Sequence, residues 1–373
     1  VSKPPRQPWT INRVPALDGL RGVAILMVLA GHWCSGALTG VASLGGAAAS
    51  GVTVFFVLSG FLITSLLVRE FRRTGRIHFR DFYLRRVLRL FPALWVLLAI
   101  EVAVDVATGS LGHILHSVLP ALLYGYNWTV IGHAPVGDPT GQVWSLAIEE
   151  QFYLFWPVTL WLALSRGGTR AGLAVATAGF GLSVLERVVL FDLNAPITRI
   201  YFGSDTCFQA LMAGCALALL VADGRLPRVG RLPMIAAAAL LATISVTVEP
   251  WGNSVGFLVL SPLGTTAATV VIIAGVVTGN HQRVLGVAPL RVAGLLSYSL
   301  YLWQPVLSII SESHPDRLSE IEAVILTLAI APLSYLLVER SFLKLRHRFG
   351  SLVRVPAAPA ASSPGSAPAA ETG

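Results

Sequence analysis

Residues 15–33 read PALDGLRGVAILMVLAGHW, an apolar run of bilayer-crossing length that nevertheless holds Asp18, Arg21 and His32. An arginine at the centre of a membrane helix costs about 2.5–3.5 kcal/mol even on insertion scales, so such residues usually line a site or a water-filled pathway. Arg21 and His32 are eleven residues apart. That is about three helical turns, so both side chains point to one side of the helix, roughly 16 Å apart along its axis. Asp18 lies one turn before Arg21 and can pair with it. The alternative is that Arg21 snorkels to the inner headgroups while His32 sits at the outer interface. The shared face favours a functional role.

The rest of the chain agrees with a membrane setting. Of 373 residues 54% are hydrophobic and 12% charged, against about 25% charged in soluble domains. The net charge of +8 would suggest nucleic acid in a soluble protein; here the positions of the positive residues matter more. No nucleic-acid module is visible. Cys34, Cys207 and Cys215 lie in or beside apolar segments without metal-ligand or disulfide spacing, and read as packing residues; no metal is expected. The first apolar run, interrupted by Arg21 and without a convincing cleavage site, reads as a retained helix rather than a signal peptide.

Runs of spanning length occur near residues 15–34, 50–68, 88–107, 144–164, 171–190, 206–222, 232–249, 256–278, 291–310 and 321–339, judged against the ~20 residues needed to span. This predicts an all-α integral membrane protein of about ten transmembrane helices. Segment 111–126, short and holding Gly112, His113, His116 and Pro120, suits a re-entrant or interfacial piece. With the N-terminus inside, 23 of the 27 Lys and Arg fall in inner segments, only Arg187, Arg199 and Arg317 fall in outer loops, and Arg21 is intramembrane. That asymmetry is what the positive-inside rule demands, and it puts both termini in the cytoplasm. The domain reading is a cytoplasmic tail over 1–14, a transmembrane domain over 15–345 and a Pro/Ala/Ser-rich disordered tail over 355–373. The expected location is the bacterial cytoplasmic membrane, crossed many times. Asn127-Trp128-Thr129 matches a glycosylation acceptor, a pattern that arises often by chance.

Three polar groupings accompany the Arg21/His32 face. In YLRRVLRLFP, Arg86 and Arg89 sit one turn apart; they are either a guanidinium fork for phosphate oxygens or ordinary positive-inside charge. In QVWSLAIEEQFYLFWP, Ser145 and Glu149 share a helix face, with Glu150 adjacent. The acids either partner intramembrane groups such as His32, as a base with its orienting carboxylate, or cap the helix from the aqueous rim. In LLSYSLYLWQP, Ser297, Tyr301 and Gln304 form a polar stripe of the kind that hydrogen-bonds neighbouring helices.

DGLRG with its Arg-x10-His interval, FFVLSGFLI, RRVLRLFP, WSLAIEEQFYL and SYSLYLW, in that order over roughly residues 13–345, resemble the membrane acyltransferase type 3 family. Its members move acyl groups from coenzyme A thioesters to hydroxyls of sugars and related molecules. The resemblance implies that Arg21 and His32 are essential, that Arg86 and Arg89 serve the acyl donor, and that Glu149 with Glu150 takes part. Two departures stand out. Gln304 occupies the place of a family histidine, which puts a titrating role there in doubt. The usual Thr-Arg-x-Asp reads Thr206-Cys207-Phe208-Gln209, which changes the expected acceptor pocket.

The expected mechanism has acyl-CoA entering from the cytoplasm, with its phosphates on Arg86, Arg89 and Arg21. His32 deprotonates the acceptor hydroxyl while Glu149 orients the imidazole; an acyl-histidine intermediate is a variant. Ser145, Glu150, Tyr301 and Gln304 are the expected acceptor contacts. The 373 residues show no fused esterase-like domain, and the lysine-poor, Ala/Gly/Arg-rich composition suits a high-GC producer of natural products. The acceptor expectation is therefore a macrolide antibiotic or other glycosylated natural product. The alternative is a cell-envelope polysaccharide or lipid-linked sugar. A transporter, a reading from another class, is disfavoured by the absence of an inverted-repeat signal.

Overall fold

The computed structural model describes residues 14–33, 44–109, 111–132, 140–248, 254–279, 282–313 and 319–346. Cys34, the 355–373 tail and nearly all of the 1–14 tail lie outside them. Among the described residues all regular structure is helical. The principal helices are α1 (Pro15–Trp33), α2 (Gly45–Thr74), α3 (Phe79–Thr108), α4 (Val143–Asp192), α5 (Ser204–Ala222), α6 (Arg231–Thr247), α7 (Ser261–Val277), α8 (Ala288–Leu295), α9 (Ser297–Ser313) and α10 (Glu320–Ser334).

Seven helical stretches are long and apolar enough to cross a membrane: Pro15–Trp33, Gly45–Thr74, Phe79–Thr108, Val143–Asp192, Ile197–Ala222, Gly256–Val277 and Glu320–Leu345. The sequence-based segments beyond these seven are helical too, in altered form. Segments 144–164 and 171–190 merge in α4, where Gly167 and Gly168 depart from helical geometry, Gly168 at φ 62°. Such a conformation suits glycine, so the pair breaks one long run into two. α6 has 17 residues, just short of a full span. Segment 291–310 divides between α8 and α9. Segment 111–126 consists of short helical pieces with a turn at Tyr124, φ 53°.

Large apolar side chains project outward, Val106 (61% exposed), Leu182 (67%) and Ile325 (58%) among them. In water such a surface would aggregate, whereas lipid accepts it. Inside, one cluster around Leu20, Ile25, Phe61, Leu67 and Trp156 joins α1, α2, α4, α5 and α7. A second, around Leu94, Leu97, Tyr126 and Leu302, joins α3 to the start of α4 and α9. Some polar groups inside these clusters are paired with each other, as when Trp156 Nε1 donates to Thr64 Oγ1 at 2.8 Å. Asn127 is buried and its Nδ2 donates to the Phe202 carbonyl and Ser204 Oγ, which makes it a structural amide rather than a glycosylation acceptor. Arg187, placed in an outer loop by the sequence, is 3% exposed within α4. Its guanidinium donates to the carbonyls of Leu258 at 2.7 Å and Thr206 at 2.9 Å.

The glycines of DGLRG have a packing reason. A Cβ on Gly19 would overlap the Leu285 carbonyl, one on Gly22 the Leu290 carbonyl, and one on Gly294 the Asp18 carbonyl. Helices in membranes approach this closely only through small residues, and here the contact locks α8, and α9 behind it, against Arg21. Gly294→Ala is expected to cost about 1–3 kcal/mol by overpacking, read as a lower thermal midpoint of the purified protein. Gly181→Ala, with open space around it, serves as the control and should leave the midpoint unchanged or slightly raised. Equal midpoints for the two variants would show that the contact is not tight.

Candidate active site

A cavity of about 280 Å³ opens inside the bundle between α1, α2, α3, α4 and α9. Its wall on α2 runs from Val52 to Arg69, roughly 25 Å of helix at 1.5 Å per residue. The two ends differ. Arg69, Arg86, Arg89 and Arg21 line the part nearer the Arg-rich connection between α2 and α3, whereas Val52, Phe55, Phe56, Ser145 and Tyr301 line the other. Glu149 is the carboxylate among the lining residues. Four guanidinium groups against one carboxylate favour a polyanion at that end, because arginine matches phosphate oxygens with a fixed fork of donors.

Arg21 sits at the centre. Its Nη2 donates to Ser297 Oγ at 3.1 Å, and the negative charges of Glu149 and Asp18 act on it. Its Nε is buried without a hydrogen-bond partner among the described residues, a donor available to a bound ligand. Glu149 accepts from Ser59 Oγ at 2.6 Å and from Tyr153 at 3.4 Å. The Arg86 guanidinium carbon lies over the Tyr153 ring, 3.5 Å from its centroid, and Arg86 pairs with Glu150 at 3.5 Å. Such stacking, together with a charge partner, holds a guanidinium in one orientation. At the other end Ser145 Oγ and Tyr301 OH are 2.7 Å apart, and Tyr301 also donates to the Gln142 carbonyl at 3.2 Å.

The structure thus brings Arg21, Arg86, Arg89, Ser145, Glu149 and Tyr301 to one cavity, from segments far apart in the chain. Glu150 is not in the lining; one residue on from Glu149 it turns by about 100° toward α3, and supports Arg86 instead of meeting an acceptor. Gln304 is buried, 1% exposed, and is likewise outside the lining. His32 is exposed at the far end of α1, beyond the cavity wall. Its Nδ1 is 2.8 Å from the Val28 carbonyl, which assigns the proton to Nδ1 and makes Nε2 the basic nitrogen. The imidazole is therefore oriented by a backbone carbonyl, and Glu149, expected in that role, is held by Ser59 and Tyr153.

Ser59, Tyr153 and Arg69 were not singled out from the sequence. Ser59 is the one hydroxyl in FFVLSGFLI, and Tyr153 follows Glu149 at i+4 on the same face. Both signals were present, but side chains four apart on an apolar helix usually mean packing. Arg69 was indistinguishable from the other positive residues of its loop.

Comparison with known proteins fits this geometry. The acyltransferase-domain model of the type 3 family matches residues 14–339. A putative peptidoglycan O-acetyltransferase YrhL of Bacillus subtilis (strain 168) is 32% identical over 360 residues, covering 88% of this chain and 54% of the relative. A putative O-acetyltransferase SACOL0978 of Staphylococcus aureus (strain COL) is 33% identical over 359 residues, with 89% and 57% covered. The peptidoglycan O-acetyltransferase OatA of Listeria monocytogenes serovar 1/2a (strain EGD-e) is 30% identical over 361 residues, with 87% and 55% covered. The chain spans about half the length of these relatives. No solved structure matches it. With five ordered motifs placed on the helices that wall one cavity, and a family match over nearly the whole chain, this protein belongs to the membrane acyltransferase type 3 family.

Proposed function

We propose that the chain moves an acetyl group from acetyl-CoA to a hydroxyl of a cell-envelope polysaccharide. The observation that carries this reading is the cavity itself, arginine-rich at one end and hydroxyl-lined at the other, in a chain whose relatives bear peptidoglycan O-acetyltransferase names. Those names favour the envelope glycan over the macrolide that composition suggested.

In this mechanism Arg69, Arg86, Arg89 and Arg21 hold the phosphates of the donor, and the pantetheine arm follows α1 and α2 toward the hydroxyl-lined end. His32 Nε2 takes the proton of the acceptor hydroxyl. The oxygen attacks the thioester carbonyl carbon, the C–S bond breaks, and the coenzyme leaves as its thiol after taking up a proton. Arg21 Nε adds a buried donor for the phosphate end, and Ser145 Oγ, by turning its proton from Tyr301, supplies a donor for the charge that develops on the carbonyl oxygen.

The test is thiol release from acetyl-CoA by purified protein in nanodiscs, with envelope glycan fragments, macrolides or no acceptor. Glycan-stimulated release is the expected result; release stimulated only by macrolides would move the acceptor back to natural products, and solute flux without thiol release would return the transporter. A second expectation separates the two motif arginines. Arg89→Gln should raise the donor KM about tenfold with kcat little changed, since it removes ground-state binding. Arg86→Gln should lower kcat as well, because it also releases Tyr153 and Glu150. Identical effects of the two substitutions would remove the distinction.

A further inference from the structure

Beside the main cavity lies a smaller chamber, about 30 Å³, walled by α2, α4, α5, Tyr201, Phe257 and Ser261. Val52 and Phe56 line both spaces, so the two are separated by one layer of side chains. Trp144 packs edge-on against Phe56, with ring centroids 6.3 Å apart, and also faces the chamber. The rest of the wall is aromatic as well: Tyr201 stacks on Phe257 at 5.5 Å.

Two buried polar groups are left over in this wall. Arg187 spends Nη1 and Nη2 on the carbonyls of Leu258 and Thr206, and its Nε has no hydrogen-bond partner among the described residues. Gln209 is 1% exposed, and its Oε1 is likewise without a partner. Native interiors rarely leave such atoms unmet, and each points to a water or ligand. One donor and one acceptor on residues that line the same space fit a group that both accepts and donates. A hydroxyl does both; a carboxylate would meet the lone pairs of Gln209 Oε1. The volume admits about two water-sized groups, which suits a hydroxymethyl arm rather than a sugar ring. Aromatic walls with a few fixed polar groups are the usual make-up of a small-molecule pocket.

We infer that this chamber is an acceptor subsite, in which Arg187 Nε and Gln209 Oε1 hold a hydroxymethyl arm of a neutral sugar whose ring lies at the Val52/Phe56 end of the main cavity. This rests on the reading of the chain as a sugar O-acyltransferase. It also gives a use to the departure at Gln209, where the family's usual acid is replaced by an uncharged acceptor.

Cys207 lines the chamber and provides a reporter that needs no turnover. In a Cys34→Ala, Cys215→Ala background, modification of Cys207 by neutral methyl methanethiosulfonate is followed by mass spectrometry on protein in nanodiscs. The β-1,4-linked tetramer of N-acetylglucosamine should slow the modification. Xylotetraose, whose rings lack the hydroxymethyl arm, and coenzyme A should not. Gln209→Leu, which keeps the bulk and removes the acceptor, should raise the protecting concentration about tenfold, the cost of one unmet hydrogen bond. Absence of protection by the tetramer, equal protection by xylotetraose or coenzyme A, or a Cys207 that never reacts would each overturn the inference. Protection that persists while thiol release fails would instead count against the proposed reaction.

Discussion

Arg21→Ala is expected to lower kcat/KM for the acyl donor by about 10–10², the loss of a charge-assisted hydrogen bond, and to destabilise the bundle by about 1–3 kcal/mol, the usual cost of leaving a buried polar partner unmet. Both effects come from one position. Arg21 bonds Ser297 on α9 at 3.1 Å and stands in the field of Glu149 and Asp18, so truncation leaves the buried Ser297 hydroxyl without that partner and removes a positive charge that both carboxylates feel. It also removes Nε, the buried donor that remains for a substrate. Arg21→Lys separates the two roles. An ammonium restores charge but not the planar fork, so the thermal midpoint should recover more than the rate does. A wild-type rate in Arg21→Ala would take this residue out of the site altogether. Equal recovery of midpoint and rate in Arg21→Lys would reduce its role to that of a counter-charge.

Much of this was legible in the sequence for a physical reason: lipid tolerates few polar residues, so each one present is conspicuous. Asp18, Arg21, Arg86, Arg89, Ser145, Glu149 and Tyr301 stood out against apolar runs, and the structure gathers most of them around one space. What sequence could not supply was direction. Glu149 and Glu150 are neighbours in the chain and face different partners, Ser59 and Arg86 respectively. Arg187 looked like a loop residue near an apolar end, because its partners are the carbonyls of Leu258 and Thr206 and carbonyl positions leave no mark on a sequence. The glycines of DGLRG were visible as a motif, while their reason, backbone contact with Leu285 and Leu290, lies more than 250 residues away. The Gly167-Gly168 break likewise depends on φ values that composition suggests and cannot set.

His32→Ala is expected to reduce acyl transfer by about 10²–10⁴, the range for loss of a positioned general base, while leaving the thermal midpoint within the ~0.5 kcal/mol typical of exposed substitutions. The contrast with Arg21 follows from burial: His32 is exposed, and its Nδ1 bonds the Val28 carbonyl of its own helix. The same exposure permits a rescue experiment, because added imidazole can reach the vacated position and accept the proton. Recovery of thiol release with imidazole, saturating and specific to this variant, would establish His32 as the base. The competing base is Glu149, which already lies in the cavity. If it takes the proton, His32→Ala keeps its activity and Glu149→Gln loses it without rescue. The Glu149 oxygens accept from Ser59 at 2.6 Å and Tyr153 at 3.4 Å, so both are already engaged by hydroxyl donors. The Val28 contact engages His32 through Nδ1, and the tautomer it fixes leaves the ring lone pair on Nε2. On that ground the imidazole, and not the carboxylate, is the group expected to take the acceptor's proton.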